Sequence, residues 1–264
     1  MDEPSSGPAY EQAVDVVFDG IAQGPRDILR LSDEEIVAIE GADAPRVAPL
    51  LSLVGEPPET MAAAPQNGAH SLADRGLARI GSEATVDDVD EKVRTVLRMR
   101  RSWQALLLVD QLTAVSKTFT AAYLRADGRT MVEDVKQDGS HRFLAMTTQA
   151  AYDNLVQMLT PLPDASDEQG WPTAYAVSEW ERHAATAFAD AKIASIVVGL
   201  RNHLLEGQDK VDQRRLTVYA FEDRTEVALP DDDGRLAVAP TSRRQLRRHL
   251  VALTDVDHDK PSHP

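Results

Sequence analysis

The sequence predicts an α+β protein in which a helix, an antiparallel meander and a helix occur twice, giving a quasi-twofold central sheet flanked by two helical bundles. Three observations carry this reading. Strand-like and helix-like runs alternate along the chain. Asp-Gly pairs, which supply the positive φ of a tight turn, separate strand runs in both halves. The spacing also repeats: Tyr123 to Gly139 is 16 residues and Tyr219 to Gly234 is 15, while Gly139 to Thr160 is 21 and Gly234 to Thr254 is 20.

Taken in order, ILRL (28–31) reads as a short strand. Ser32 followed three residues later by Glu35 is a capping box opening the helix DEEIVAIE, which Gly41 ends. Residues 55–70 and 161–173 mix Pro, Gly and polar residues without an apolar period and read as linkers. In the first block, Val89, Val93, Val96 and Leu97 have helical spacing. Strand runs follow at 105–109, 118–124, 130–135 and 142–146, and a helix carrying Tyr152, Leu155, Val156 and Leu159 closes the block. The second block opens with a helix carrying Trp180, Ala184, Ala187, Phe188 and Ala191. Strands are expected at 193–200, 214–221, 225–230 and 235–239, then a helix with Leu246, Leu250 and Leu253. One compact domain is expected: an N-terminal arm (1–27), frayed over its first ten residues, a first half (28–160), a linker (161–176), a second half (177–254) and an acidic tail (255–264).

The chain has 264 residues, 28 basic and 43 acidic, a net charge of −15. Residues 1–91 hold 5 basic and 19 acidic side chains, so the excess lies in the first third. Such a field repels polyanions, which argues against nucleic acid or anionic lipid as a partner. Arg243, Arg244, Arg247 and Arg248 make one local basic helix face, read as solvated or as a dock for an acidic surface. The absence of cysteine excludes disulfides, thiolate metal sites and cysteine nucleophiles. Neither a signal-peptide pattern at MDEPSSGPAY nor a run of about 18 apolar residues occurs, so membrane insertion is not expected.

Two stretches, LRLSDEEIVAIEGADAPRVAPLL and SLADRGLARIGSEATVDDVDEKVRTVLRMRRSWQALLLV, followed by the two meanders, resemble the EspG family of cytosolic chaperones of mycobacterial type VII (ESX) secretion systems. The resemblance covers about residues 28–254. Its most specific part surrounds Leu72, Arg75, Gly76 and Leu77, a helix ending in an R-G-L turn, followed by a helix and an apolar strand beginning near Trp103. It implies a cytoplasmic protein without cofactor that binds the helical tip of a PE–PPE-like pair and keeps it soluble before secretion. By position, Trp103 to Leu124 corresponds to the family's second and third strands, whose connecting loop helps to hold the client. That loop is here the short segment Leu112 to Lys117, with Val115 in it. Tyr152, Leu155, Trp171, Trp180 and Phe188 correspond to the helical bundle beside the sheet. Apolar residues at helical spacing are more often core than interface, whereas Trp171, in a polar linker after Gly170, reads as an exposed anchor.

Enzyme readings find no support in the sequence. G-x-S-x-G, G-x-x-x-x-G-K-[ST], H-E-x-x-H and G-x-G-x-x-G are all absent. The seven histidines are scattered, Asp255, Asp257 and Asp259 lack the glycine of a calcium loop, and Asp231 to Asp233 sit at a hairpin tip. A structural or assembly protein of the same fold, or an enzyme of unrecognised type, are the alternatives to a chaperone.

Overall fold

The computed structural model describes residues 7–81, 85–160, 173–176, 179, 188–202, 211–230 and 235–254. Among them the chain is α+β, with six helices and extensive antiparallel sheet. The elements run α1 (Pro8–Phe18), a 3-10 turn (Ile21–Gln23), β1 (Arg26–Ser32), α2 (Asp33–Glu40), α3 (Pro58–Asp74), β2 (Ala78–Ile80), β3 (Val86–Val89) and α4 (Glu91–Met99). They continue with β4 (Ala105–Thr113), β5 (Lys117–Leu124), β6 (Arg129–Lys136), β7 (Ser140–Thr147) and α5 (Thr148–Leu159). The remainder are β8 (Thr173–Tyr175), β9 (Ile193–Asn202), β10 (Val211–Ala220), β11 (Thr225–Pro230), β12 (Leu236–Pro240) and α6 (Arg243–Thr254). The predicted order of four strands then a helix thus appears twice, as β4 to α5 and β9 to α6.

The contacts divide the chain into two compact units, one of residues 1–103, 119–125 and 129–147, the other of 104–118, 126–128 and 148–264. In the first unit the strand order is β1-β7-β6-β5, with β1 antiparallel to β7. The capping box forms as expected: Glu35 N–H donates to Ser32 Oγ at 3.1 Å and Ser32 N–H to Glu35 Oε2 at 2.9 Å. The β6–β7 turn at Gly139 docks on the start of α2, where Asp33 N–H donates to the Gly139 carbonyl.

Several segments differ from the sequence reading: residues 173–175, in the expected linker, form β8, and Val89, read as the start of a helix, ends β3. Residues 55–70, read as a linker, are mostly α3, and the expected frayed start contains the beginning of α1. Both helices place a proline in the first turn, where the missing N–H has no helical partner to lose. The buried stripe of α3 is Ala64, Gly68, Ala69 and Leu72, and the first three are small residues that allow close packing on α2 but add little to an apolar period.

In the second unit the strand order is β4-β9-β10-β11-β12-β8, every pair antiparallel. Helix α6 opens with a second capping box, Ser242 N–H to Gln245 Oε1 at 2.8 Å and Gln245 N–H to Ser242 Oγ at 3.3 Å. It packs against α5 and across β4, β9 and β10, burying Leu246, Leu250 and Leu253 on one sheet face.

Candidate functional site: an exposed apolar sheet face

The other face of the second unit's sheet carries the site. Side chains alternate along a strand, and residues directly opposite one another in an antiparallel ladder share a face. The register places Asp110 opposite Ile196 and Leu112 opposite Ala194, and Ala194 is in turn opposite Tyr219. Leu112, Ala194, Ile196 and Tyr219 therefore share a face. Leu253 lies against Gly199, which belongs to the alternate set, so α6 covers the opposite side. Leu112 is 59% exposed and Ile196 48%, which is high for leucine and isoleucine in strands.

The sequence extends this face with a rigid tip. Thr113 N–H donates to the Ser116 carbonyl at 2.9 Å, closing a four-residue turn. The Thr113 hydroxyl accepts from the N–H of Val115 at 3.3 Å and of Ser116 at 3.0 Å, so the turn is pinned from inside. At its crest Val115 is 90% exposed. Lys117 pairs with Asp110 at 3.2 Å, both half-exposed, and puts a polar margin beside the apolar residues.

The remaining sequence candidates fall elsewhere. Phe188 is half-buried and stacks on Tyr219 with ring centroids 3.7 Å apart, which puts it on the same face as Leu112. Tyr152 and Leu155 are buried in the α5–α6 core, and the Tyr152 hydroxyl meets the Thr254 hydroxyl at 2.7 Å. Trp171 and Trp180 lie outside the described residues. Ile196 and Tyr219 were not singled out by sequence. Their signal was available only as alternation in 193–200 and 214–221, because membership of a face needs the register between strands.

The first unit holds a polar cluster that the sequence reading also missed. His141 is fully buried, its Nε2 2.6 Å from Asp33 Oδ1 and its Nδ1 2.7 Å from Glu133 Oε1. Asp33 Oδ2 accepts from the N–H and hydroxyl of Ser52, both at 2.7 Å. Glu133 Oε2 accepts from the Tyr123 hydroxyl at 2.6 Å and from Arg100 Nε at 3.1 Å, and Arg100 continues to Glu40 at 3.0 Å. Burial opposes the charged form of His141, and its hydrogen bonds to Asp33 and Glu133 outweigh it, so its pKa is raised. Burial likewise opposes the Glu133 carboxylate, but the Arg100 charge and the His141 and Tyr123 hydrogen bonds hold its pKa below the usual range. Serine, aspartate and histidine invite comparison with a catalytic triad. Here the Ser52 hydroxyl donates to Asp33 rather than to His141, so the triad order of serine to histidine to carboxylate is not formed. Among the described residues, no group of three or more metal-ligating side chains is arranged to hold a metal ion.

No family model matches the sequence, and no curated protein matches it. Among solved structures, the Mycobacterium tuberculosis type VII secretion system chaperone EspG5, determined in complex with a PE25–PPE41 dimer, aligns over 83% of this chain and 93% of its own, with a TM-score of 0.52 at 9% identity. The fold is EspG-like. The EspG-like architecture is thus shared at a level where sequence identity carries almost no signal, which is what a resemblance of element order and spacing implies. A dehydratase domain of a mycocerosic acid synthase-like polyketide synthase aligns over 52% of this chain and 72% of its own, with a TM-score of only 0.15 at 11% identity. No helix among the described residues is long and apolar enough to cross a membrane.

Proposed function

We propose that this protein is a cytoplasmic, non-catalytic chaperone of type VII secretion substrates, and that the apolar tip of a helical PE–PPE-like pair docks on the face formed by Leu112, Val115, Ala194 and Ile196. The observation that supports this is the pinned turn: it holds Val115 almost fully exposed beside the open face, where an apolar residue gains nothing for the fold. The likeness to EspG5 supports the same reading at the level of fold. In this reading no cofactor takes part, and the net charge of −15 argues against nucleic acid. The quasi-twofold duplication, 105–160 against 193–254, belongs to it as well, supported by the repeated order of four strands and a helix.

The test is co-expression with PE–PPE pairs, beginning with the PE25–PPE41 dimer, followed by co-purification in about 0.5 M salt, where charge pairs are screened but apolar burial is not. The wild-type chain should retain one pair and Val115→Asp should lose it, with the urea midpoint of the free protein unchanged because Val115 makes no core contact. Failure to retain any pair, or retention unchanged in both Val115→Asp and Leu112→Asp, refutes the assignment.

A further inference from the structure

The buried cluster of the first unit has a proton count that its geometry constrains. Each ring nitrogen of His141 lies within hydrogen-bond distance of a carboxylate oxygen, 2.6 Å to Asp33 and 2.7 Å to Glu133. Each of those contacts needs one proton between its two atoms. The outer oxygens cannot carry one, because Asp33 Oδ2 already accepts twice from Ser52 and Glu133 Oε2 accepts from Tyr123 and Arg100. With both carboxylates ionised, both protons belong to the ring. A neutral ring would instead point a lone pair at a carboxylate oxygen in a fully buried site.

The titratable and polar groups around the ring come from several elements. Helix α2 supplies Asp33 and Glu40, the loop behind it Arg46 and Ser52, the segment after α4 Arg100 and Arg101, β5 Tyr123, and β6 Glu133. Asp33 and Glu133, the carboxylates that bracket the ring, meet one arginine between them, Arg100 on Glu133, and a charged His141 supplies the second positive charge. Arg101 reaches Glu40 from the exposed side.

We propose that His141 is carried as an imidazolium between Asp33 and Glu133 and acts as an alkaline-release latch, clamping the start of α2 onto β6 and β7 until the ring gives up its proton to solvent. The ring ties Asp33 on α2 to Glu133 on β6, so deprotonation turns a bridge into a repulsion at one end. The direction follows from linkage. A histidine whose pKa is raised by folding adds stability that is complete below its ordinary value of about 6.5 and is lost as the pH rises through the raised value.

The experiment uses full-length protein labelled with nitrogen-15 in its histidine rings, followed by long-range proton–nitrogen correlation and by amide exchange of α2 as the pH is raised. At about pH 7.5, one unit above the ordinary histidine value, both His141 nitrogens should still show the protonated signature. When that signature is lost, protection of the Ile36 to Glu40 amides should fall by about tenfold beyond the intrinsic pH effect on exchange. The isosteric Asp33→Asn keeps an oxygen for Ser52 and removes one charge from the ring, and should move the titration to lower pH by about one unit. A neutral ring at pH 7.5, α2 protection indifferent to the ring's proton, or an unshifted titration in Asp33→Asn overturns the proposal. If Asp33→Asn does not fold, the first two readings on the wild-type protein decide it.

Discussion

Replacing Gly139 by alanine should destabilise the protein far more than replacing Gly76, although both glycines have nearly the same backbone. Gly139 has φ 76° and Gly76 φ 69°, in the left-handed region, where an alanine costs about 1 kcal/mol. At Gly76 that is the whole penalty, since an added Cβ meets nothing within 4 Å. Gly76 ends α3, with Leu77 N–H donating to the Leu72 carbonyl at 2.8 Å and Gly76 N–H to the Ala73 carbonyl at 2.9 Å. At Gly139 the Cβ would lie 2.3 Å from Ser52 Oγ and 2.7 Å from Asp33 Oδ2. Those two atoms are bonded to each other and cannot part without weakening the hydrogen bonds of a buried carboxylate, worth about 1.5–3 kcal/mol each. The expected loss is about 1 kcal/mol for Gly76→Ala and about 3 kcal/mol for Gly139→Ala. Urea unfolding of the two variants, with midpoints compared at a common slope, measures the difference. Equal losses would show that the turn is not seated on α2 as described.

Leu155→Ala should cost about 3 kcal/mol in the same assay, because Leu155 is wholly buried between α5 and α6; a loss under about 1 kcal/mol would mean that it faces solvent or a partner instead. Arg75→Ala strips the counter-ion at 2.7 Å from the buried Glu35 and should cost about 2 kcal/mol, reduced from the value for a fully buried pair because Arg75 is 41% exposed. A variant as stable as wild type would show that Ser71 and Ser32 suffice to hold that carboxylate. Glu133 has its pKa lowered by folding, so its contribution is complete above the ordinary 4.5 and drains away as the pH falls further. The urea midpoint should drop below about pH 4.5 and drop less in Glu133→Gln; parallel curves for the two proteins would contradict the assignment.

The strands and most helices were legible in the sequence because their signals are local. TEVALP at 225–230 coincides with β11, and the Ser32–Glu35 box opens α2 where it was read. Of helix α3 only the end at the R-G-L turn was read, because the rest of its buried stripe is alanine and glycine, and Pro57, Pro58 and Pro65 outweighed that faint period. The site divided in the same way. The Leu112 to Lys117 tip was visible as a short connection between two apolar runs, whereas Tyr152 and Leu155 could not be told from core without knowing which face α6 covers. The His141 cluster was beyond reach, since its members are separated by up to 108 positions and each looks like an ordinary surface residue in its own segment.

That separation also bears on how the molecule is made. The chain is synthesised from its N-terminus, so Asp33 and the rest of α2 emerge long before the β7 residue that neutralises them. Closing a loop of this length is entropically expensive before any contact rewards it, and until His141 arrives the Asp33 carboxylate has every reason to stay in water. Residues 104–118, which belong to the second unit, are meanwhile already translated. The first unit is therefore expected to close only once β7 has been made, and a nascent chain halted before it keeps the Asp33 carboxylate in water.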